Sequence, residues 1–245
     1  MLTDTQIERY SRQIILPQVG GNGQERLLQS SVAIAGAGAV AEVAALYLAG
    51  AGIGRIVLHG RGRAALRSDL LELNPDVEAT VSDAPLGVVS ADVLVACDVA
   101  VKDIDAVAMA GRPFVAAGGA GDRGWLVVVD DPNTCVSCAA RVAILECGGL
   151  PPLWGGSGGG DQMGFTPASP PTPKRQQAAA LQSALPRAGG PTAGVIGSLV
   201  ALAVLKLRLG VDKPQPGWLQ FDGVESMLTR QPLPRASDCP RCTGA

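Results

Sequence analysis

A glycine-rich loop between a strand-like and a helix-like segment constrains the fold more than any other feature of this chain. Residues Ser31–Ala35 (SVAIA) have the composition of a buried strand, and residues 41–49 (AEVAALYLA) have that of a helix. Between them lie Gly36 and Gly38, and Ala41 takes the third glycine place of a nucleotide-binding fingerprint. Such glycines let the backbone approach a phosphate, which then lies at the helix N-terminus. The pattern equally fits a structural βαβ turn that binds nothing.

Two nearby positions argue against an ordinary nucleotide site. The second predicted strand, residues 55–58, leads into His59 where an Asp or Glu usually accepts hydrogen bonds from the ribose hydroxyls. Glu42 falls in the first turn of the predicted helix, where its charge suits the helix dipole but repels phosphate. If a nucleotide binds, His59 is the candidate contact in place of the acid, although a lone histidine is more often incidental.

The composition argues against two classes of partner. Lys and Arg number 20 against 22 Asp and Glu, and aromatic residues are 3% of the chain, so we expect no basic, aromatic-rich face for nucleic acid. The polar N-terminal segment predicts no secretory signal, and the longest apolar stretch, residues 193–205, is too short to cross a bilayer. We therefore expect a cytoplasmic protein that binds neither nucleic acid nor membrane.

Four arginines follow one another closely around the second predicted strand. They are Arg55, Arg61, Arg63 and Arg67. This spacing predicts a local basic patch, which is either a solvated loop or a site for an anion or an acidic partner.

Strand-like and helix-like segments alternate along the first half of the chain. The further predicted strands are residues 77–81, 92–96, 114–117 and 125–129, and the further helices are residues 63–73 and 104–110. This alternation predicts a Rossmann-like α/β fold with a mostly parallel sheet and helices on both faces.

A Gly- and Pro-rich segment then interrupts the pattern. Gly and Pro supply 14 of the 26 residues in 148–173, so we assign residues 148–191 to a crossover loop within a single domain of residues 1–245. The elements predicted after residue 173 are a short helix at 174–185, a long apolar helix at 193–209 with Thr192 as its N-cap, and an antiparallel strand pair at 218–222 and 226–229.

Two CxxC pairs predict a metal site. Cys135 and Cys138 form the first pair, and Cys239 and Cys242 form the second. Four thiolates are the tetrahedral set that structural zinc prefers, and in a reducing cytoplasm disulfides are a poorer explanation. Reduced thiols or a redox pair are the alternatives. A closed site of this kind would tie the C-terminus to the middle of the chain without offering a position to substrate.

Several motifs occur along the chain in the order that one protein family shows. They are RYSRQIILP at 9–17, the glycine loop, LNP at 73–75, the two CxxC pairs and FDG at 221–223. With these motifs the chain resembles the ThiF/MoeB/HesA family of E1-like enzymes, which adenylate the C-terminal glycine of ubiquitin-like or sulfur-carrier proteins. The resemblance spans nearly the whole chain. It implies ATP and magnesium as co-substrates, and it supports the zinc assignment because members commonly carry both CxxC pairs.

Compared with the family pattern, this chain lacks several nucleotide contacts. In the family an acidic residue at the end of the second strand binds the ribose; here that place falls at about His59. The segment with Arg, Asn, Gln and Lys residues that contacts the ATP phosphates in the family is missing before Leu73. Asp98 lies one place earlier than the Asp that helps hold magnesium, which weakens it as a replacement. Each lost phosphate contact typically costs about a hundredfold in rate. The resemblance therefore implies a pseudoenzyme, with an active adenylyltransferase using a modified nucleotide site as the alternative.

The resemblance also implies partners. In the family an arginine of the RYSRQ segment reaches into the ATP site of a second subunit, and Arg12, or else Arg9, matches it. We therefore expect a homodimer, or a heterodimer with an active family member; in the alternative view this segment only caps the domain. The chain would bind a ubiquitin-like or sulfur-carrier protein or a peptide tail. A homodimeric relic that uses the 193–209 helix as its interface is a further possibility.

The zinc assignment gives a direct prediction. The purified protein should contain about one zinc per chain, and the Cys239→Ser variant should lose it because three thiolates bind the ion more weakly. Cys147→Ala, outside both pairs, is the matched control and should keep its zinc. Metal analysis that finds no zinc in the parent protein, or an intact mass showing disulfides, would contradict the assignment.

Overall fold

A computed structural model describes residues 1–36, 38–60, 62–84, 86–99, 112–130, 188–212 and 217–232. In chain order the elements are α1 (Asp4–Ile14), α2 (Gly20–Leu28), β1 (Ser31–Ala35), α3 (Ala39–Gly50), β2 (Arg55–His59), α4 (Ala64–Leu73), β3 (Glu78–Ser82), a 3₁₀ turn (Leu86–Val88), β4 (Val93–Cys97), β5 (Phe114–Ala120), β6 (Arg123–Val129), α5 (Gly190–Leu209), β7 (Trp218–Asp222) and β8 (Met227–Gln231). The helices predicted at 104–110 and 174–185, and most of the predicted crossover loop, lie outside these ranges.

Eight strands form one sheet in the order β3-β2-β1-β4-β5-β6-β7-β8. The pairings within β3-β2-β1-β4-β5 are parallel. The pairings from β5 through β8 are antiparallel. The sheet confirms the predicted α/β fold and its antiparallel C-terminal extension.

Two hydrophobic cores lie on the two faces of the sheet. On one face, α3, α4 and α5 pack against alternate residues of the strands. The helices approach closely where α5 crosses α3, because a Cβ at Gly197 would stand only 2.6 Å from the Cβ of Val43. The core on the other face is built mainly from strand residues, including Phe114, Trp125 and Trp218, with Val89 and Ala91 from the segment before β4. None of the described helices contributes to it, so a helix on that face stays a prediction.

The long helix α5 corrects two expectations. Its N-cap is Gly189 and not Thr192, which is buried in the first turn. Pro191 explains the difference, since its fixed φ and missing N–H suit a first helical turn. With 20 residues the helix is also long and apolar enough to cross a bilayer, so the expectation that it is too short was wrong. It packs against α3, β5 and β6 as a core helix.

A buried hydrogen-bond network fastens α1 to the domain. The Tyr10 hydroxyl donates to Asp76 Oδ2 at 2.9 Å, and Asn74 Nδ2 donates both to that hydroxyl at 2.9 Å and to the carbonyl of Ala49 at 2.7 Å. Burial is the main cause that raises the pKa of Tyr10 to about 12, so the hydroxyl stays a donor through the neutral range. The RYSRQ motif, through Tyr10, and the LNP motif, through Asn74, therefore contact each other.

The two tyrosines of the chain test this contact. Tyr10→Phe should lower the free energy of unfolding by about 1–3 kcal/mol, because it leaves buried polar groups without their partner. Tyr47→Phe is the matched control, since Tyr47 is 59% exposed and should change stability by less than about 0.5 kcal/mol. Urea denaturation of both variants gives the comparison. Equal effects would show that the network does not hold α1.

Candidate nucleotide site

The sheet reverses its order of connection between β1 and β4. From β1 the chain continues outward through β2 and β3 on one side, and then returns to add β4 and β5 on the other. In open α/β sheets, ligands bind beyond the carboxyl ends of the strands at such a switch point. The glycine loop follows β1 and Asp98 follows β4, so both predicted site segments lie there.

The glycine loop is shaped by its contact with the end of β4. Gly36 has φ 122°, and a Cβ at this position would overlap the carbonyl oxygen of Cys97. Gly38 is the N-cap of α3 and provides no side-chain hydrogen bond, and a Cβ there would stand 2.6 Å from Asp98 Oδ2. Gly38 therefore leaves the first N–H groups of α3 without a side-chain acceptor. Uncapped N–H groups of this kind are what a helix terminus needs in order to bind an anion. Ala41 is 1% exposed and packs in the core, which is the role of the third fingerprint position.

Asp98 is held firmly at this point. Its backbone N–H donates to the Ala117 carbonyl at 2.9 Å, and its Oδ1 accepts from the Gly119 N–H at 3.1 Å. Its φ of 53° is in the left-handed region, which an Asp tolerates at modest cost. Although it comes one place early in the sequence, its carboxylate lies against Gly38 at the switch point. Among the residues that the structure describes, no group of three or more His, Cys, Asp or Glu side chains could hold a metal ion.

His59 occupies the position expected for the ribose acid. It is the last residue of β2, is half-buried, and lies in register with Ala35 on β1 and Ser82 on β3. Because α4 begins at Ala64, only four residues connect the two elements. This connection is too short to carry the phosphate-contacting segment that the family resemblance implies.

The short connection places a buried cation in the site. Arg63 immediately precedes α4, and only 7% of its side chain is exposed. Its Nη1 atom lies 3.9 Å from Oε1 of Glu42, which belongs to the first turn of α3. Burial and the charge of Asp98 raise the pKa of the Cys97 thiol, while Arg63 acts in the opposite direction. The Arg63 guanidinium therefore lies beside the first turn of α3, near enough to Cys97 at the end of β4 to act on the pKa of its thiol.

Comparison with known proteins decides the family. The model of the ThiF family matches residues 10–68, a range that includes the glycine loop, Glu42 and Arg63. The sulfur carrier protein ThiS adenylyltransferase of Escherichia coli (strain K12) is 30% identical to this chain over 100% of the chain and 98% of its own length. The chain belongs to the ThiF family. Its match to this relative extends from end to end, as the motif order predicted.

Solved structures agree with this fold. E. coli MccB with ATP superimposes with a TM-score of 0.69 at 19% identity, over 98% of this chain and 75% of MccB. The microcin C7 biosynthetic enzyme MccB in complex with N-formylated MccA gives a TM-score of 0.69 at 20% identity, over 96% and 74% of the two chains. At this level of identity the likeness supports the shared fold.

The structure separates the two arginines of the RYSRQ segment in this ThiF-family chain. Arg9 is tied to its own domain, with its Nε 3.3 Å from Asp76 Oδ2. Arg12 lies in the last turn of α1 with its side chain exposed, and within the described ranges it forms no ion pair or side-chain hydrogen bond. Of the two arginines, Arg12 is therefore the one whose side chain is exposed to solvent.

The basic patch predicted around β2 does not include Arg55. Arg55 lies at the amino end of the strand and donates to the carbonyl of Ser90, whereas Arg67 Nε donates to the carbonyl of Ala79 at 2.8 Å. Arg63 lies beyond the opposite end of β2 from Arg55, and a five-residue strand separates its two ends by about 13 Å. Arg61 and the four predicted zinc ligands, Cys135, Cys138, Cys239 and Cys242, lie outside the described residues. The zinc site stays a prediction.

Proposed function

We propose that this ThiF-family chain is a pseudoenzyme that binds a carrier protein or peptide tail and adenylates it slowly or not at all. The observation that carries the proposal is the four-residue connection from His59 to Ala64. It leaves no segment for phosphate contacts and brings Arg63 to 3.9 Å from Glu42. An imidazole, His59, also stands at the end of β2 where the family resemblance implies a ribose-binding acid. Two lost contacts at about a hundredfold each predict a rate reduced on the order of ten-thousandfold.

The partner class follows from the relatives and from the edge of the sheet. The E. coli relative is named as the adenylyltransferase of the sulfur carrier protein ThiS, and MccB was solved in complex with N-formylated MccA. In this chain, no described strand pairs with the outer edge of β8, where Met227 is 53% and Leu228 46% exposed. An extended tail can add to such an edge through main-chain hydrogen bonds. We infer a ubiquitin-like or sulfur-carrier protein, or a peptide, as the partner in the cytoplasm.

One observation favours a second candidate, an active adenylyltransferase with a modified site. Asp98 lies beside Gly38 at the switch point, and Arg63 offers a cation nearby. Magnesium bound with a nucleotide needs only one or two protein carboxylates besides the phosphates and water. In this alternative, Asp98 holds the magnesium, Arg63 contacts the phosphates, and His59 contacts the ribose.

Pyrophosphate exchange separates the two candidates. The chain is assayed with ATP, magnesium and a matched carrier protein ending in Gly-Gly, beside the E. coli ThiS adenylyltransferase with ThiS as the active control. The proposal predicts exchange at least about a thousandfold slower than the control. Exchange within tenfold of the control would establish the active alternative.

The exposed position of Arg12 predicts a role in a dimer, either a homodimer or a heterodimer with an active family member. In a reconstituted heterodimer, Arg12→Ala should lower the partner's adenylation by about a hundredfold, since a cation at the phosphates is lost. Arg26→Ala removes another exposed arginine, from the last turn of α2, and should leave the rate unchanged. Equal rates for all three proteins would show that the RYSRQ segment only caps the domain.

A further inference from the structure

Glu42 and Arg63 meet where a phosphate is expected in this fold. Glu42 lies on the first turn of α3, directly after the glycine loop, and Arg63 reaches it from the start of α4. We infer that the Glu42 carboxylate replaces a bound phosphate in this site and that an inorganic or nucleoside polyphosphate binds tightly only when the carboxylate is neutralised or displaced. The inference rests on the proposed loss of adenylation and gives that loss an electrostatic cause.

The burial of Arg63 explains why an anion is needed. A guanidinium does not lose its proton in proteins, so a side chain that is only 7% exposed requires a counter-charge. The N-terminus of α3 also attracts negative charge, and its N-cap Gly38 supplies none. A helix N-terminus of this kind binds phosphate in nucleotide-binding folds. Here Glu42 satisfies both attractions from within the chain.

The charge of Glu42 makes the site unfavourable for a second anion. Its carboxylate lies 3.9 Å from Arg63, the buried cation beside the first turn of α3, so an incoming phosphate would meet a negative charge there. Glu42 is 51% exposed, so its carboxylate can turn into solvent without unpacking α3. Removing its charge leaves Arg63 and the helix terminus available to the same incoming phosphate.

Calorimetry with magnesium pyrophosphate tests the inference on the full chain. Glu42→Gln keeps the shape of the side chain and removes its charge, and it should bind pyrophosphate at least about tenfold more tightly than the parent protein. Glu72→Gln removes the same charge near the other end of α4, about 13 Å along the helix from Arg63, and should bind like the parent. The double variant Glu42→Gln with Arg63→Gln should lose the gain.

Three results would overturn the inference: no gain for Glu42→Gln, an equal gain for Glu72→Gln, or a gain that survives the loss of Arg63. If the double variant does not fold, as circular dichroism would show, the two single variants still decide. The outcome is separable from that of the exchange assay. Fast exchange by the parent protein refutes the pseudoenzyme, whereas a slow parent whose Glu42→Gln variant binds no better refutes only the phosphate replacement.

Discussion

The close approach of the glycine loop to the end of β4 is the contact on which the site depends. Gly36 passes so near the Cys97 carbonyl that no side chain fits, and its φ of 122° turns the chain into α3 at once. As a result α3 begins beside Asp98, at the switch point of the sheet. The close approach of Gly36 to Cys97, which a nucleotide-binding loop needs, also holds the start of α3 against the sheet. A ThiF-family chain can therefore need this loop for its fold whether or not the loop binds a nucleotide.

The short connection between β2 and α4 brings Arg63 to the first turn of α3. With four residues available, α4 starts soon after β2, and the buried Arg63 guanidinium lies 3.9 Å from the Glu42 carboxylate. A buried arginine requires an anion, and Glu42 provides it. The short connection therefore accounts both for the lack of room for a further segment between β2 and α4 and for the ion pair of Arg63 with Glu42.

Much of the fold follows from local sequence, while the site depends on contacts between distant segments. The bounds of β1 and β7 match those predicted, because short apolar runs flanked by Gly or polar residues specify buried strands. The sequence indicated Gly36, Gly38, His59 and Asp98 individually, but it did not show that Glu42 pairs with Arg63, because that pairing depends on where α4 begins. The contact of Tyr10 with Asn74 was hidden for the same reason: it joins residues 64 positions apart.

The most direct test of this account is the affinity of the unmodified protein for magnesium ATP. Isothermal titration at physiological ionic strength measures it without a carrier protein or a second subunit. Because the Glu42 carboxylate already lies beside Arg63, we expect no saturable binding of magnesium ATP below about 1 mM. A dissociation constant above about 1 mM corresponds to a binding free energy weaker than about −4 kcal/mol. A dissociation constant in the low micromolar range would contradict this expectation, since the site would then accept the phosphates with Glu42 in place.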